Sequence, residues 1–372
     1  MLWPKSIFTI CLFLLFAHGF GQGKKLLLVA GQSNAVGVGK SDSSLAFLNP
    51  LCFEYYSEPS SLKLLQDPVG YTLLNEDFQA ALSGSAWPAF ADTYQQLNGD
   101  SVIIIQAAKG GTACHEKADG GAGNWSNNYH LFQQAVAKTK KAESFTGRQV
   151  DGIIWLQGES DAIGILQNKI TACQYKWALQ NLIQRFRNEL HCKLPFYIIQ
   201  TGLYLPEYDA AFNLVRDVQQ QVADEDPLTF IVDSSANQYR ALGYMTDQIH
   251  FDQRALNAMG TNAAQTIRQL ELSVNMDSCF TLPAAPLSPD WAVYPSPFTD
   301  KLTIEVRNFS CGNLEVELTN ALGKKMQSSN YDCFNSSPIK FDVNTAALSP
   351  GVYIVHLRLN KQWELKQKLV KE

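Results

Sequence analysis

The chain has 372 residues, 46% hydrophobic and 17% charged, with 15 prolines. That balance describes a globular protein long enough for two domains and excludes a disordered or fibrous one. The formal net charge of -5 comes without any run of Lys and Arg interleaved with aromatics, so no nucleic-acid partner is expected.

In chain order, Lys5 precedes an apolar stretch from Ile7 to Phe16, and Ala17, Gly19 and Gly21 follow as small residues. This is the layout of a cleaved secretory signal over residues 1–21. Read instead as a membrane anchor, the stretch falls well short of the roughly 20 residues a helix needs to cross a bilayer. No other segment is long enough either, so no stable membrane span is expected. Cys11 lies inside the apolar stretch, and eight cysteines less that one leave seven in the mature chain. They form no C-x-x-C pair, which argues against zinc. Cys311 and Cys333 could bridge in an oxidising compartment, and some of Cys52, Cys114, Cys173, Cys192 and Cys279 could pair. The connectivity stays open at this level.

Beyond the signal, Lys25–Ala30, Val102–Ala107, Gly152–Leu156, Phe196–Gln200 and Phe230–Val232 are rich in Ile, Leu and Val and sit between turn formers. They are predicted as buried strands. Between and after them, Pro88–Leu97, Tyr129–Ala142, Gln174–Leu190, Ala210–Ala223 and Gln253–Leu272 have helical length and spacing. Alternation of this kind predicts an α/β fold, a parallel sheet with helices on both faces. Chemistry is then sought in the loops beyond the carboxyl ends of the strands. Thr281–Asp290 holds three prolines and reads as a linker. From Trp291 onward Lys301–Val306, Leu314–Leu318, Ile339–Val343 and Val352–Leu357 alternate like strands, and a small β-sandwich is predicted. The expected organisation is a signal over 1–21, an α/β domain over 22–275, a linker over 276–290 and a sandwich over 291–372.

Three polar clusters follow predicted strands, and a fourth stands just before the last predicted helix. In Gly31-Gln32-Ser33-Asn34, a serine on a strand-to-helix turn can present its hydroxyl beside backbone N–H groups, as a nucleophile requires. The same serine would serve equally as a helix cap. Gly37, Gly39, Lys40 and Ser41 approach a phosphate loop, but that motif needs glycine where Asn34 stands. Lys109-Gly110-Gly111-Thr112 either lets a backbone N–H approach a reacting carbonyl or makes an ordinary turn. In Trp155-Leu156-Gln157-Gly158-Glu159-Ser160-Asp161, Gln157 could donate to an oxyanion and Glu159 could orient a histidine, although a polar surface loop would read the same. Asp247-Gln248-Ile249-His250 has the spacing for a carboxylate to receive an imidazole N–H, and also that of a capping Asp beside a surface His.

Together and in this order, these clusters resemble the SGNH hydrolase superfamily. Within it they are most similar to the sialate O-acetylesterase and acetylxylan esterase-like group, carbohydrate esterase family 6 and its relatives. Weaker echoes at Trp87–Ala91 and Phe251–Gly260 extend the resemblance over Lys24 to Leu272. It implies a three-layer αβα, flavodoxin-like fold and a serine esterase that removes acetyl groups from carbohydrate without metal or organic cofactor. By the same resemblance Ser33 is the nucleophile and His250 the base. Asp247 or Glu159 is the acid behind it, with Asp247 favoured by its spacing. The oxyanion donors are the N–H groups of Ser33 and Gly111 with the Gln157 amide, and Gln32, Asn34, Gly110 and Thr112 are expected to bind substrate. The parent superfamily carries Asn where this subgroup has Gln-Gly-Glu.

The tail has a resemblance of its own. Tyr294–Phe298, Ala321–Lys324, Gly351–Val355 and Lys366–Lys371 are similar to the C-terminal sorting domain of the bacterial type IX secretion system, with Ser296 where Asn is usual. This implies the type IX secretion machinery as a partner and a secreted or cell-surface destination; the alternative is a carbohydrate-binding sandwich. Two rival functions stand beside the acetylesterase. One is a catalytically silent surface glycan-binding protein, against which the intact Ser33, Asp247 and His250 set weighs. The other is an SGNH lipase or thioesterase acting on longer acyl chains.

Overall fold

The computed structural model describes residues 23–45, 48–70, 77–126, 129–276, 278–279, 290–307, 312–333, 339–359 and 363–372. The expected signal and the proline-rich stretch 281–289 lie outside these residues. No described helix is long and apolar enough to cross a membrane.

The amino-terminal part runs β1 (Lys24–Gly31), α1 (Ser33–Val36), β2 (Cys52–Ser57), β3 (Ser60–Leu64), α2 (Trp87–Asn98), β4 (Ser101–Ala108), α3 (Leu131–Thr146), β5 (Gly152–Leu156), α4 (Glu159–Leu166), α5 (Ala172–Glu189), β6 (Phe196–Ile199), α6 (Asp209–Glu225), β7 (Thr229–Asp233), α7 (Tyr239–Leu242) and α8 (Gln253–Ser273). Seven strands form one sheet in the order β3-β2-β4-β1-β5-β6-β7. Every neighbouring pair is parallel except β2 with β3.

The central strand explains the layering. Side chains alternate across a strand, so Leu26, Leu28 and Ala30 join one core with Phe132 of α3, Leu179 of α5 and Phe212 of α6. Leu27 and Val29 join the other core with Phe90 of α2 and Met259 of α8. Both faces are covered, which is why β1 and β5 read as continuous apolar runs rather than alternating ones.

Two features depart from the predicted elements. The hairpin β2–β3 extends the sheet at its edge, where a strand needs no continuous apolar run. Its Glu54 is buried and accepts the N–H of Gly70 at 2.9 Å, which breaks the apolar pattern by which strands are found. The polar cluster after β5 opens a short helix, α4, instead of a loop.

The tail runs β8 (Asp290–Tyr294), β9 (Lys301–Arg307), β10 (Gly312–Asn320), β11 (Lys325–Cys333), β12 (Ile339–Asn344), β13 (Gly351–Leu359) and β14 (Trp363–Lys371). Its two antiparallel sheets, β11-β10-β13-β14 and β12-β9-β8, share a core built on Leu302, Ile304, Leu314, Val316, Val355 and Leu357. β8, β11 and β14 add to the four predicted strands. All three lie at sheet edges, where polar residues are tolerated and apolar alternation is weak.

Cys192 and Cys279 form a disulfide that ties the chain after α5 to the chain after α8, with Cα atoms 5.0 Å apart. Cys52 and Cys114 are buried free thiols. The pairing expected of Cys311 with Cys333 falls on a position, Cys311, outside the described residues.

Candidate active site

The turn that carries Ser33 is set by a single glycine. Gly31 ends β1 at φ 141°, and a Cβ there would lie 2.0 Å from the carbonyl oxygen of Leu156 on the neighbouring β5. Only glycine lets the chain leave the sheet so close to its neighbour. Ser33 follows as the first residue of α1. That one-turn helix is pinned from outside by Trp87, whose indole N–H donates to the Ala35 carbonyl at 2.7 Å.

Opposite it, residues 244–252 form a tight loop ahead of α8. Thr246 N–H donates to the His250 carbonyl at 2.8 Å, and Asp252 N–H donates to the Tyr244 carbonyl at 3.0 Å. Phe251 is buried against Tyr239 as the apolar anchor of this loop. His250 projects from it with Nε2 3.0 Å from Ser33 Oγ. Its Nδ1 lies 2.7 Å from Asp247 Oδ2, while Asp247 Oδ1 accepts the backbone N–H groups of Ile249 and His250, both at 2.8 Å. Partial burial, the largest influence on the Asp247 carboxyl, acts to raise its pKa. The hydrogen bonds from His250 and the two backbone N–H groups outweigh it and hold the pKa below the usual carboxylate range. The spacing of three therefore works as a capping turn rather than a helical repeat.

Glu159 takes a different place. It is buried at the start of α4 and its Oε1 accepts from the Asn34 side-chain amide at 2.7 Å; no hydrogen bond joins it to the His250 ring. Burial raises its pKa, against the hydrogen bond from Asn34, its own backbone N–H and the nearby His250. Of the two carboxylates left open by the sequence, Asp247 is the one in contact with the imidazole.

Three other expectations are corrected. Gln157 does not face the serine: its side-chain amide donates to Asp161 Oδ2 at 2.5 Å and to the Thr112 carbonyl at 3.3 Å, which uses both of its N–H bonds inside the core. Gly158 follows it at a position that excludes a side chain. At φ 149° it turns the chain under Val215, where a Cβ would meet Val215 Cγ1 at 2.7 Å. Thr112 is buried and donates to the Lys109 carbonyl at 2.9 Å, so it shapes the glycine turn from beneath instead of touching substrate. Asn34 is 0% exposed, and its amide is spent on protein partners.

Of the remaining predicted positions, Gln32, Ser33, Gly110, Gly111, Glu159 and His250 line a cleft of about 660 Å³, and Asp247 stands behind His250 outside its lining. Gln32 Oε1 accepts the N–H groups of Gly158 and Ser160, both at 3.3 Å, and so fixes the start of α4 to the serine turn. Gly110 N–H donates to Gln79 Oε1 at 2.8 Å. The N–H groups of Ser33 and Gly111 have no acceptor among the described residues. Both residues line the cleft, and free backbone N–H groups are what a developing negative oxygen requires.

Sequence reasoning missed the walls of this cleft. Val36, Val38, Ala80, Leu82, Ile163 and Ile249 line it, along with Gln79. Residues 79–82 lie in an irregular stretch between β3 and α2 that carries no helical or strand pattern, so nothing in the sequence marks them. No cluster of three or more His, Cys, Asp or Glu able to hold a metal occurs among the described residues.

Residues 23–269 match the family described as carbohydrate esterase, sialic acid-specific acetylesterase, and residues 292–372 match the secretion system C-terminal sorting domain. A protein of Arabidopsis thaliana described as "Probable carbohydrate esterase" is 28% identical over 181 residues, which are 48% of this chain and 60% of that protein. The chain thus spans less than two thirds of that relative's length. A solved structure of an Arabidopsis thaliana protein, 19% identical, covers 66% of this chain and 97% of its own with a TM-score of 0.52, a likeness of fold. A carbohydrate acetylesterase from Xanthomonas citri is 14% identical and covers 92% of this chain and 80% of its own, with a TM-score of 0.46.

Proposed function

Because the chain belongs to the sialic acid-specific acetylesterase family of carbohydrate esterases, we propose that it is an exported O-acetylesterase that hydrolyses acetyl esters on sugars with Ser33 as nucleophile. The observation that carries this reading is the unbroken chain from Ser33 Oγ to His250 Nε2 at 3.0 Å and from His250 Nδ1 to Asp247 at 2.7 Å, open to the cleft.

In this mechanism Asp247 holds the imidazole in the tautomer with its proton on Nδ1, which leaves Nε2 as the base. His250 accepts the Ser33 proton as Oγ bonds to the acetyl carbonyl carbon. The N–H groups of Ser33 and Gly111 stabilise the negative oxygen that forms, at about 10²–10³-fold per donor. As the carbon–oxygen bond to the sugar breaks, His250 returns the proton to the departing alcohol. Water, deprotonated by the same histidine, then releases acetate from the acetyl-serine. The Ser33→Ala variant is the direct test: a folded variant that still hydrolyses acetyl esters would end this assignment.

Residues 1–21 are read as the signal, 22–275 as the hydrolase, 276–290 as the linker and 291–372 as the sorting domain. Together they would carry the protein to the cell surface or the medium through the type IX machinery. The sugar, sialate or xylan or another, is to be decided by acetate release from defined glycans. A second reading has one observation behind it: the apolar wall of Val36, Val38, Leu82, Ile163 and Ile249 suits an acyl chain longer than acetyl. A rate that rises from acetyl to longer nitrophenyl esters would favour the lipase or thioesterase reading.

A further inference from the structure

His250 sits on a loop, and loops are the mobile part of most folds. Asp247, which orients the ring and caps the N–H groups of its own loop, is 53% exposed at its side chain and lies on that same loop, so it does not tie the loop to the serine turn. Something else has to set the distance between Ser33 and His250, because a displacement of about 1 Å in a reacting pair can lower a rate on the order of 10²-fold.

The backbone on both sides of His250 is gripped by one side chain. The Asn34 amide donates to the Ile249 carbonyl at 3.2 Å, and its Oδ1 accepts the Phe251 N–H at 3.2 Å. Asn34 directly follows Ser33 on α1, so one helical turn carries both the hydroxyl and the grip on the residue that activates it. The second N–H of Asn34 goes to Glu159 Oε1 at 2.7 Å, which fixes the amide plane from behind. Both ring nitrogens of His250 are already occupied, by Asp247 and by Ser33, so Glu159 has no place on the imidazole.

We infer that Asn34 is a positioning residue that holds His250 in register with Ser33, and that Glu159 acts through Asn34 instead of on the histidine. This rests on the serine-hydrolase reading above. The chemistry of the grip explains its residue type: only a primary amide offers two donors and an acceptor in one plane, to a carbonyl, a carboxylate and a backbone N–H at once. Aspartate has the same shape but would face Glu159 and the Ile249 carbonyl with no proton to give.

The test uses the full-length protein and three variants, Asn34→Ala, Glu159→Gln and Glu159→Ala. Two rates are read: hydrolysis of nitrophenyl acetate, as kcat and KM separately, and labelling of Ser33 by a fluorophosphonate. Asn34→Ala should lower kcat and the labelling rate together by about 10–100-fold with KM little changed, as loss of register requires. Glu159→Gln still accepts from Asn34 and should stay within about threefold of the wild type, the hydrogen bond being weaker but present. Glu159→Ala should be slowed about tenfold, between the other two. A folded Asn34→Ala variant with wild-type kcat and labelling would overturn the inference. So would a Glu159→Gln variant as impaired as Asp247→Asn, since Glu159 would then be acting by its charge. Should Asn34→Ala fail to fold, the Glu159 pair decides alone: slowing by Ala and rescue by Gln supports the grip, and equal rates for both refute it. A wild type that labels at Ser33 yet cleaves no acetyl ester would remove the proposed substrate while leaving the labelling comparison intact.

Discussion

Asp247 serves His250 twice: one oxygen lies 2.7 Å from the ring Nδ1, and the other accepts the residue's own backbone N–H at 2.8 Å. The carboxylate therefore fixes the ring and the main chain that carries it with one rigid group. An aspartate three positions ahead fits, because a longer side chain would overshoot the N–H groups it caps.

Asp247→Asn should lower kcat by about 10²–10⁴-fold while leaving thermal stability near the wild type, since an Asn oxygen can still cap the turn and only the ring's tautomer is disturbed. Steady-state kinetics beside a melting curve checks both halves. A mild loss, with Glu159→Gln losing more, would hand the role of triad acid to Glu159.

Gln157 should matter to the fold and not to the transition state. Gln157→Ala takes the side-chain donor from the Thr112 carbonyl and leaves Asp161 Oδ2 with the Cys114 N–H alone, and an unpaired buried polar group costs about 1–3 kcal/mol. The expected result is a lower melting temperature with kcat of the folded protein reduced far less than the roughly 10²–10³-fold that loss of an oxyanion donor brings. A stable variant with such a loss of kcat would return Gln157 to the oxyanion hole.

Asp161 gives a pH dependence with a definite sign. Burial, opposed by hydrogen bonds from Cys114, His115 and Gln157, pushes its pKa up from 3.8 to about 6. Between these values the unfolded chain has lost a proton that the folded chain keeps, so the contribution of this group to stability falls as pH rises from 3.8 to about 6 and is flat above. Comparing melting temperatures of the wild type and Asp161→Asn across that interval isolates it. The wild type should lose ground to the variant as pH increases, and a difference independent of pH would mean the buried carboxyl is ionised throughout.

The tail should be dispensable for chemistry and required for destination. A chain ended after Cys279 keeps the bridge to Cys192 and should hydrolyse soluble acetyl esters like the full-length protein, whereas one ended after Leu272 also loses that bridge, typically worth about 2–4 kcal/mol. In a host with type IX secretion, deletion of residues 291–372 should trap active esterase in the periplasm. Unchanged export with weaker binding to polymeric glycan would make the tail a binding module instead.

Most of the sheet was legible because β1, β4, β5 and β6 are buried on both faces, and double burial writes itself into the sequence as runs of Ile, Leu and Val. β2 was not, because a buried Glu54 interrupts its apolar pattern. The helix α4 was hidden because only eight residues form it, and its first turn holds the acidic residues that also characterise a polar loop. In the tail, the inner strands β9, β10 and β13 and the edge strand β12 were visible by their apolar alternation, and the other edge strands β8, β11 and β14 were not.

For the site, the order and spacing of four polar clusters, three directly after strands and one just before the last helix, were enough to nominate Ser33, Gly111 and His250, since a parallel sheet delivers the ends of its strands to one edge. Direction was decided only by the tertiary structure. Asp247 and Glu159 are both carboxylates within reach of the loop by sequence, and the packing of α4 turns one to Asn34 while a capping turn aims the other at the imidazole. Gln157 and Asn34 looked like polar residues of a cleft. Burial spent both of their amides on protein partners, because a polar side chain sealed from water must find its hydrogen bonds where the fold provides them.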